Sequence, residues 1–165
     1  VDKHFTAGQD KGGFDAELSQ LLRLPNGELL VCGGFTNIAG KRQQALARLT
    51  EDGDLDRSFH PDIDGRVGRF AVQPDGKIVL VGEFTHVNDV ARKYLASVNA
   101  KGQVDTSFDA VAGPDYAPTT VALEPAGRIL VGGSFSSFSG ASRRAAARLL
   151  CQRPRIPEQL PVRVG

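Results

Sequence analysis

The sequence predicts an all-β fold built as a β-propeller, and three observations carry the prediction. One stretch of text is written three times, starting at Leu24, Gln73 and Glu124, and its prolines Pro25, Pro74 and Pro125 stand 49 and 51 residues apart. Phe35, Phe84 and Phe135 keep those two intervals, as do Arg48, Ser97 and Arg148. A repeat of this length denotes an array of like structural units. Each copy also breaks into short runs of strand length separated by turn residues. Lastly, one run per copy is apolar throughout (Leu29 to Cys32, Ile78 to Val81, Ile129 to Val131), which reads as a strand covered on both faces.

The first segment of a copy is ELSQLLRL, matched by RVGRFAVQ and PTTVALE. A Pro-x-Gly turn follows, because proline presets φ at the first corner and glycine accepts the positive φ at the last. The second segment is the apolar run, closed by Gly33, Gly82 or Gly133, where a bulge or a close backbone approach is expected. A polar loop leads to the third segment, ALARLT, YLASVN or AAARLL. Its alanine and arginine suit a helix, but EDGD and AKGQ stop it after about six residues, so it reads as a strand. The fourth segment is LDRSF or VDTSF. Four strands on short turns make an antiparallel sheet that is apolar on both faces. Radial packing of such sheets covers those faces and shelters the edges.

Bulk composition excludes several classes. The 165 residues suffice for one domain with a substantial core, and 20 Lys and Arg against 19 Asp and Glu leave a net charge of +1. That balance lacks the basic excess of a nucleic-acid binder. No apolar run approaches the ~20 residues of a membrane span. No signal peptide is visible, and the text opens at Val1 inside a repeat, as a mature, processed or excised piece would. Two cysteines do not make a disulfide framework. Cys32, in an apolar run, reads as a small buried hydrophobe, and Cys151 lies in the divergent tail.

The turn, the Gly-x-Phe step and the Asp-x-Ser-Phe ending together resemble the delta-60 type repeat, a bacterial family of β-propeller blades of unknown function. The resemblance covers residues 1 to 150. It implies a propeller and an extracellular or cell-surface location. It implies no chemistry and no cofactor.

The domain plan is a three-blade unit over 1–150, with blades at about 14–59, 63–108 and 117–150, and a proline-rich tail over 151–165. The third copy stops before its Asp-x-Ser-Phe segment, while Val1 to Phe5 matches that segment and forms an outer strand for another blade. Three blades are fewer than the ~4–8 of a ring. Two completions are open. A second chain completes a six-bladed ring head to tail, each chain lending its first strand, or the remaining blades belong to a longer chain.

A search for chemistry yields little. His4, His60 and His86 are isolated and unrepeated, so no zinc site is expected. Asp52, Asp54 and Asp56 alternate as calcium ligands do, but the next copy keeps only one of the three, and a solvated turn is the better account. Asp2, Asp56 and Asp105 read as structural residues that fix backbone amides. No nucleophile elbow or phosphate loop is present. With no catalytic residue, metal or cofactor assigned, the expected function is a non-catalytic scaffold. The alternative is a propeller hydrolase or lyase working at the channel mouth, with acids or His86 taking part.

Ligand-binding candidates are sought on the rim that carries the loops between second and third segments and the inter-blade connections, since both vary among copies. They are Asn37, Lys41, Arg42, His86, Asn88, Arg92, Arg143 and Arg144. Recurring basic residues there suit an anionic glycan, a carboxylate or an acidic protein patch, although charge that merely keeps an exposed rim wet is the plainer account.

Overall fold

The computed structural model describes residues 13–108 and 113–149. The first copy forms β1 (Leu18–Arg23), β2 (Leu29–Gly33), β3 (Asn37–Ile38), β4 (Lys41–Arg42) and β5 (Leu46–Leu49). The second forms β6 (Arg66–Val72), β7 (Ile78–Glu83), β8 (His86–Val87), β9 (Val90–Ala91) and β10 (Leu95–Val98). The third forms β11 (Pro118–Leu123), β12 (Ile129–Gly133), β13 (Ser137–Phe138), β14 (Ala141–Ser142) and β15 (Ala146–Leu149). Helix is limited, among the described residues, to one 3-10 turn at Pro125–Gly127. The Ala-Arg text is therefore strand, as β5, β10 and β15.

Each copy is an antiparallel three-stranded sheet with the apolar strand in the middle, in the orders β1-β2-β5, β6-β7-β10 and β11-β12-β15. Between the second and third long strands each copy inserts a two-stranded ribbon: β3-β4, β8-β9 or β13-β14. The polar loop expected here is thus a paired ribbon. Its two-residue turns, Ala39-Gly40, Asn88-Asp89 and Ser139-Gly140, all have positive φ at both positions, the hand that matches strand twist.

The expected fourth strand is shortened to a single bridge, Leu49 to Leu55 in the first copy and Val98 to Val104 in the second. The cause is local. Asp56 Oδ1 accepts from the Ser58 amide at 2.8 Å and the Phe59 amide donates to the Asp56 carbonyl at 3.4 Å, so the chain turns where a strand would continue. The turn drives Phe59 into the core, fully buried. Sheets of four full strands are thus corrected to three strands and a bridged turn. The proposed strand at residues 1–5 and the tail at 151–165 lie outside the described residues.

Close approaches between sheets run through the first strands: β6 lies against β1 and β2, and β11 against β6 and β7. Side chains along the middle strand alternate between two neighbours. Leu30 and Cys32 of β2 pack with Ile78 and Leu80 of β7, together with Phe59, Phe70, Phe84 and Val98. Val79 and Val81, on the opposite side of β7, pack with Ile129, Val131 and Phe135 of the third copy. Leu29, Val31, Phe35, Ile38 and Leu49 form the matching cluster on the far side of the first sheet. Burying each such side chain contributes about 1.5–3 kcal/mol.

Gln20 stitches the first two sheets together. Its amide donates to the Phe70 carbonyl at 3.2 Å and accepts from the Phe70 amide at 2.9 Å.

The glycine closing each middle strand is required by a close approach. A Cβ on Gly82 would meet the Arg66 carbonyl, and one on Gly33 the Glu17 carbonyl. Beside both, the first strand carries an extra residue: the register shifts between Val67 and Arg69, and between Leu18 and Gln20. Both expectations for this glycine hold together. Replacing Gly82 with Ala is expected to cost about 1–3 kcal/mol through overpacking, measured as a lower midpoint of urea unfolding with the slope retained.

Candidate functional site

The ribbons and the inter-sheet connections share one rim, and a repeated carboxylate locks them together. In the first copy Asp15 Oδ1 accepts from the amides of Thr36 (2.8 Å) and Asn37 (3.0 Å), while Oδ2 accepts from the Thr36 hydroxyl at 2.6 Å. Asp64 binds the amides of Thr85 (2.7 Å) and His86 (2.9 Å) and the Thr85 hydroxyl. Asp115 does the same with Ser136 and Ser137. The residue before each Asp (Phe14, Ile63 or Pro114) bridges to the ribbon at Ile38, Val87 or Phe138.

These hydrogen bonds stabilise the ionised form. The Thr36 hydroxyl, helped by the Asn37 amide, holds Asp15 well below the usual carboxylate range. Partial burial opposes the same effect at Asp64, but bonds from Thr85 and His86 outweigh it. The Ser136 hydroxyl leads in bringing Asp115 down to about 2.

The structure spreads the predicted rim residues over three separate ribbons. Asn37 is spent on the lock, its amide donating to Asp15 Oδ2 at 2.9 Å. Asn88 supplies a left-handed turn residue, φ 49°. Arg42 donates to Gln44 at 3.1 Å, while Arg92 and Arg143 donate to the carbonyls of Ala91 and Ser142 at 3.0 Å. Lys41 and Arg144 are exposed. Arg42 lines a groove of about 200 Å³ with Gln43, Gln44 and residues 60–62, and Asn88 lines another of about 420 Å³ with Ser58, His60, Lys101, Gln103 and Val104. His86 Nδ1 meets both Asp64 Oδ2 (3.1 Å) and the Thr85 hydroxyl (2.9 Å). A catalytic relay uses one ring nitrogen for the acid and the other for the nucleophile. Here both partners meet the same nitrogen.

Asp56 and Asp105 are structural, as read from the sequence. Asp56 takes the Ser58 hydroxyl at 2.8 Å and the Arg48 guanidinium at 2.7 Å. Arg48 also donates to the Ala100 carbonyl in the next copy and stacks over Phe59. In the second copy Ser97 replaces that arginine, and Lys77 supplies the cation to Asp105 at 2.7 Å. Asp2 and His4 lie outside the described residues. Cys32 is fully buried, and burial pushes its thiol up to about 12.

Two larger clefts lie along the first strands. One, about 620 Å³, sits between the Pro-x-Gly turns of the first two copies and is lined by Leu22, Pro25, Leu30, Val72, Pro74 and Arg48 among others. The other, about 430 Å³, lies at the rim end and is lined by Ser19, Arg66, Arg69, Glu83, Tyr116 and Thr119 with neighbouring backbone. Sequence reasoning missed this second set, because its members come from the first halves of β1 and β6, the end of β7, and the approach to β11 and its start. It also missed the Asp15–Asp64–Asp115 lock. That one was visible, since the three stand 49 and 51 residues apart like the prolines.

Three-stranded antiparallel sheets that approach one another through their first strands, with ribbons and inter-sheet connections on one rim and tight turns on the other, fit a β-propeller architecture. The family comparison agrees: residues 24–59, 73–108 and 125–150 match the family described as "Domain of unknown function (DUF5122) beta-propeller". The chain belongs to that family. No curated protein and no solved structure matches it.

The lock makes stability depend on acid. A carboxylate whose pKa lies below its unfolded value of about 3.9 stabilises the fold at higher pH, and the contribution disappears as pH falls through the folded value. Urea midpoints are therefore expected to hold steady above about pH 5 and to drop between about pH 4 and pH 2. Asp64→Asn flattens that drop, whereas Asp52→Asn, in an exposed turn, leaves it unchanged.

Proposed function

We propose that this chain is a non-catalytic binding scaffold made of three propeller blades of the delta-60 type, completed to six by a second copy joined head to tail. Its place, by the resemblance, is outside the cell or on its surface. The observation that carries the scaffold reading is what the recurring polar residues do. Asp15, Asp64 and Asp115, with their Thr and Ser partners, occupy both carboxylate oxygens in fixing ribbon to connection. A rim built that way holds side chains of variable identity in fixed places, which is what recognition needs.

Completion by a second copy is supported at both ends of the array. Leu21 of β1 is 53% exposed, while its counterpart Phe70, covered by the first sheet, is 3% exposed. At the other end Ala146 is exposed where Leu46 and Leu95 are fully or nearly fully buried against the next sheet. A second chain set head to tail covers both surfaces with like partners.

Light scattering is expected to give about twice the 17.6 kDa chain mass. Ala146→Asp, on a position exposed in the single chain, is expected to reduce the mass to that of one chain with an unchanged β-sheet circular dichroism spectrum. A monomer at every concentration up to the solubility limit would refute completion by self-association.

A further inference from the structure

The rim-end cleft beside the first strands is a second kind of place on this molecule, and its chemistry differs from that of the ribbons. Arg66 and Arg69 both enter it from β6. Residues three apart on a regular strand point to opposite faces. The extra residue at Gly68, marked by the register shift between Val67 and Arg69, brings both guanidiniums to one side. Both reach the same residue of the first copy: Arg66 Nη2 donates to the Ser19 hydroxyl at 2.9 Å, and Arg69 Nη1 donates to the Ser19 carbonyl. Arg69 Nη1 also donates to the Gly68 carbonyl at 3.0 Å.

Neither arginine forms an ion pair among the described residues. Arg23, Arg128 and Arg148 do, with Glu51 or Glu124, while the exposed Arg42, Arg57, Arg143 and Arg144 share the lack of an ion pair among the described residues. Each guanidinium carries five N–H donors, so several on each remain for a ligand. The other copies keep the bulge and change the side chains: Glu17 and Gln20 in the first, Ala117 and Thr120 in the third. The basic pair is thus a property of the middle copy alone.

We infer that this cleft binds a carboxylate-bearing saccharide, with Arg66 and Arg69 gripping the carboxylate. The inference rests on the binding-scaffold reading, but not on ring completion, since every residue belongs to one chain. Three neighbours select the class. Tyr116, 59% exposed, offers a ring for the apolar face of a sugar. Thr119 and Ser19 supply hydroxyls. Glu83, on the same wall, accepts sugar hydroxyls and repels a second negative charge, which disfavours phosphate and leaves a singly charged carboxylate suited to the site.

The test is calorimetric titration of the full chain with a short galacturonic acid oligomer, its neutral galactose counterpart and inorganic phosphate. The acidic oligomer is expected to bind, the neutral one and phosphate at least about tenfold more weakly. Arg66→Lys keeps the charge and loses the forked donor, and is expected to weaken binding about tenfold; Tyr116→Ala weakens it similarly. Arg57→Ala, exposed in the bridged turn of the first copy, leaves affinity unchanged. The assignment falls if the acidic oligomer fails to bind, if phosphate binds as well as it does, or if neither cleft variant alters its affinity. Loss of binding in Arg143→Ala with both cleft variants unaffected would keep the scaffold and move the site to the ribbons.

Discussion

Ile78, Val79, Leu80 and Val81 run consecutively along β7, all buried, and they face two different neighbours in turn. This two-sided burial is the constraint from which the rest of the architecture follows. A strand with apolar residues on both faces needs a sheet on each side, so no single copy is stable alone. Sheets set side by side then make the connection lengths meaningful, because chain must pass from the last strand of one sheet to the first of the next at a single rim. The opposite rim is left with tight turns. The terminal sheets inherit the same demand with one neighbour fewer, and Leu21 and Ala146 display it.

Ionic detail is adjusted locally inside this frame. Asp56 and Asp105 hold the same structural place, yet the first finds its cation on β5, as Arg48, and the second just before β7, as Lys77. The carboxylate keeps a partner although the position that supplied it has changed to Ser97. Partly buried acids tolerate such exchange because any nearby cation restores the charge balance, whatever strand it comes from. Packing positions show no such freedom: the aligned Phe35, Phe84 and Phe135 are all essentially buried.

Strand identity and the paired sheets were legible because they depend on alternation and turn chemistry within a few residues. Pro25-Asn26-Gly27 and the apolar run after it suffice for β1-β2. The reduced fourth strand was not legible. Its Asp-x-Ser-Phe text has strand length, and only the side-chain bond from Asp56 to the Ser58 amide reveals a turn. The ribbons were missed for a related reason, since Ala39 sits at φ 51° in a two-residue turn that usually has Asn or Gly in that place. The basic rim residues were legible as exposed, but exposure carries no information on convergence. The cleft pairs Ser19 with Arg66 and Tyr116, 47 and 97 residues away in sequence, and distance in sequence hides such pairs.

The bulge explains how one frame serves different ends. In each copy the first strand carries an extra residue opposite the invariant glycine, and the absence of a Cβ on that glycine is what makes room for it. The bulge in turn sets which side chains share a face. Positions 17 and 20, 66 and 69, and 117 and 120 are equivalent, so a constraint of backbone packing also defines a pair of side-chain positions near the mouth. Packing fixes the glycine, while the residues at those two positions differ from copy to copy. They have varied, to Glu and Gln, Arg and Arg, Ala and Thr. Side-chain identity thus changes between copies beside a point where backbone packing is tight.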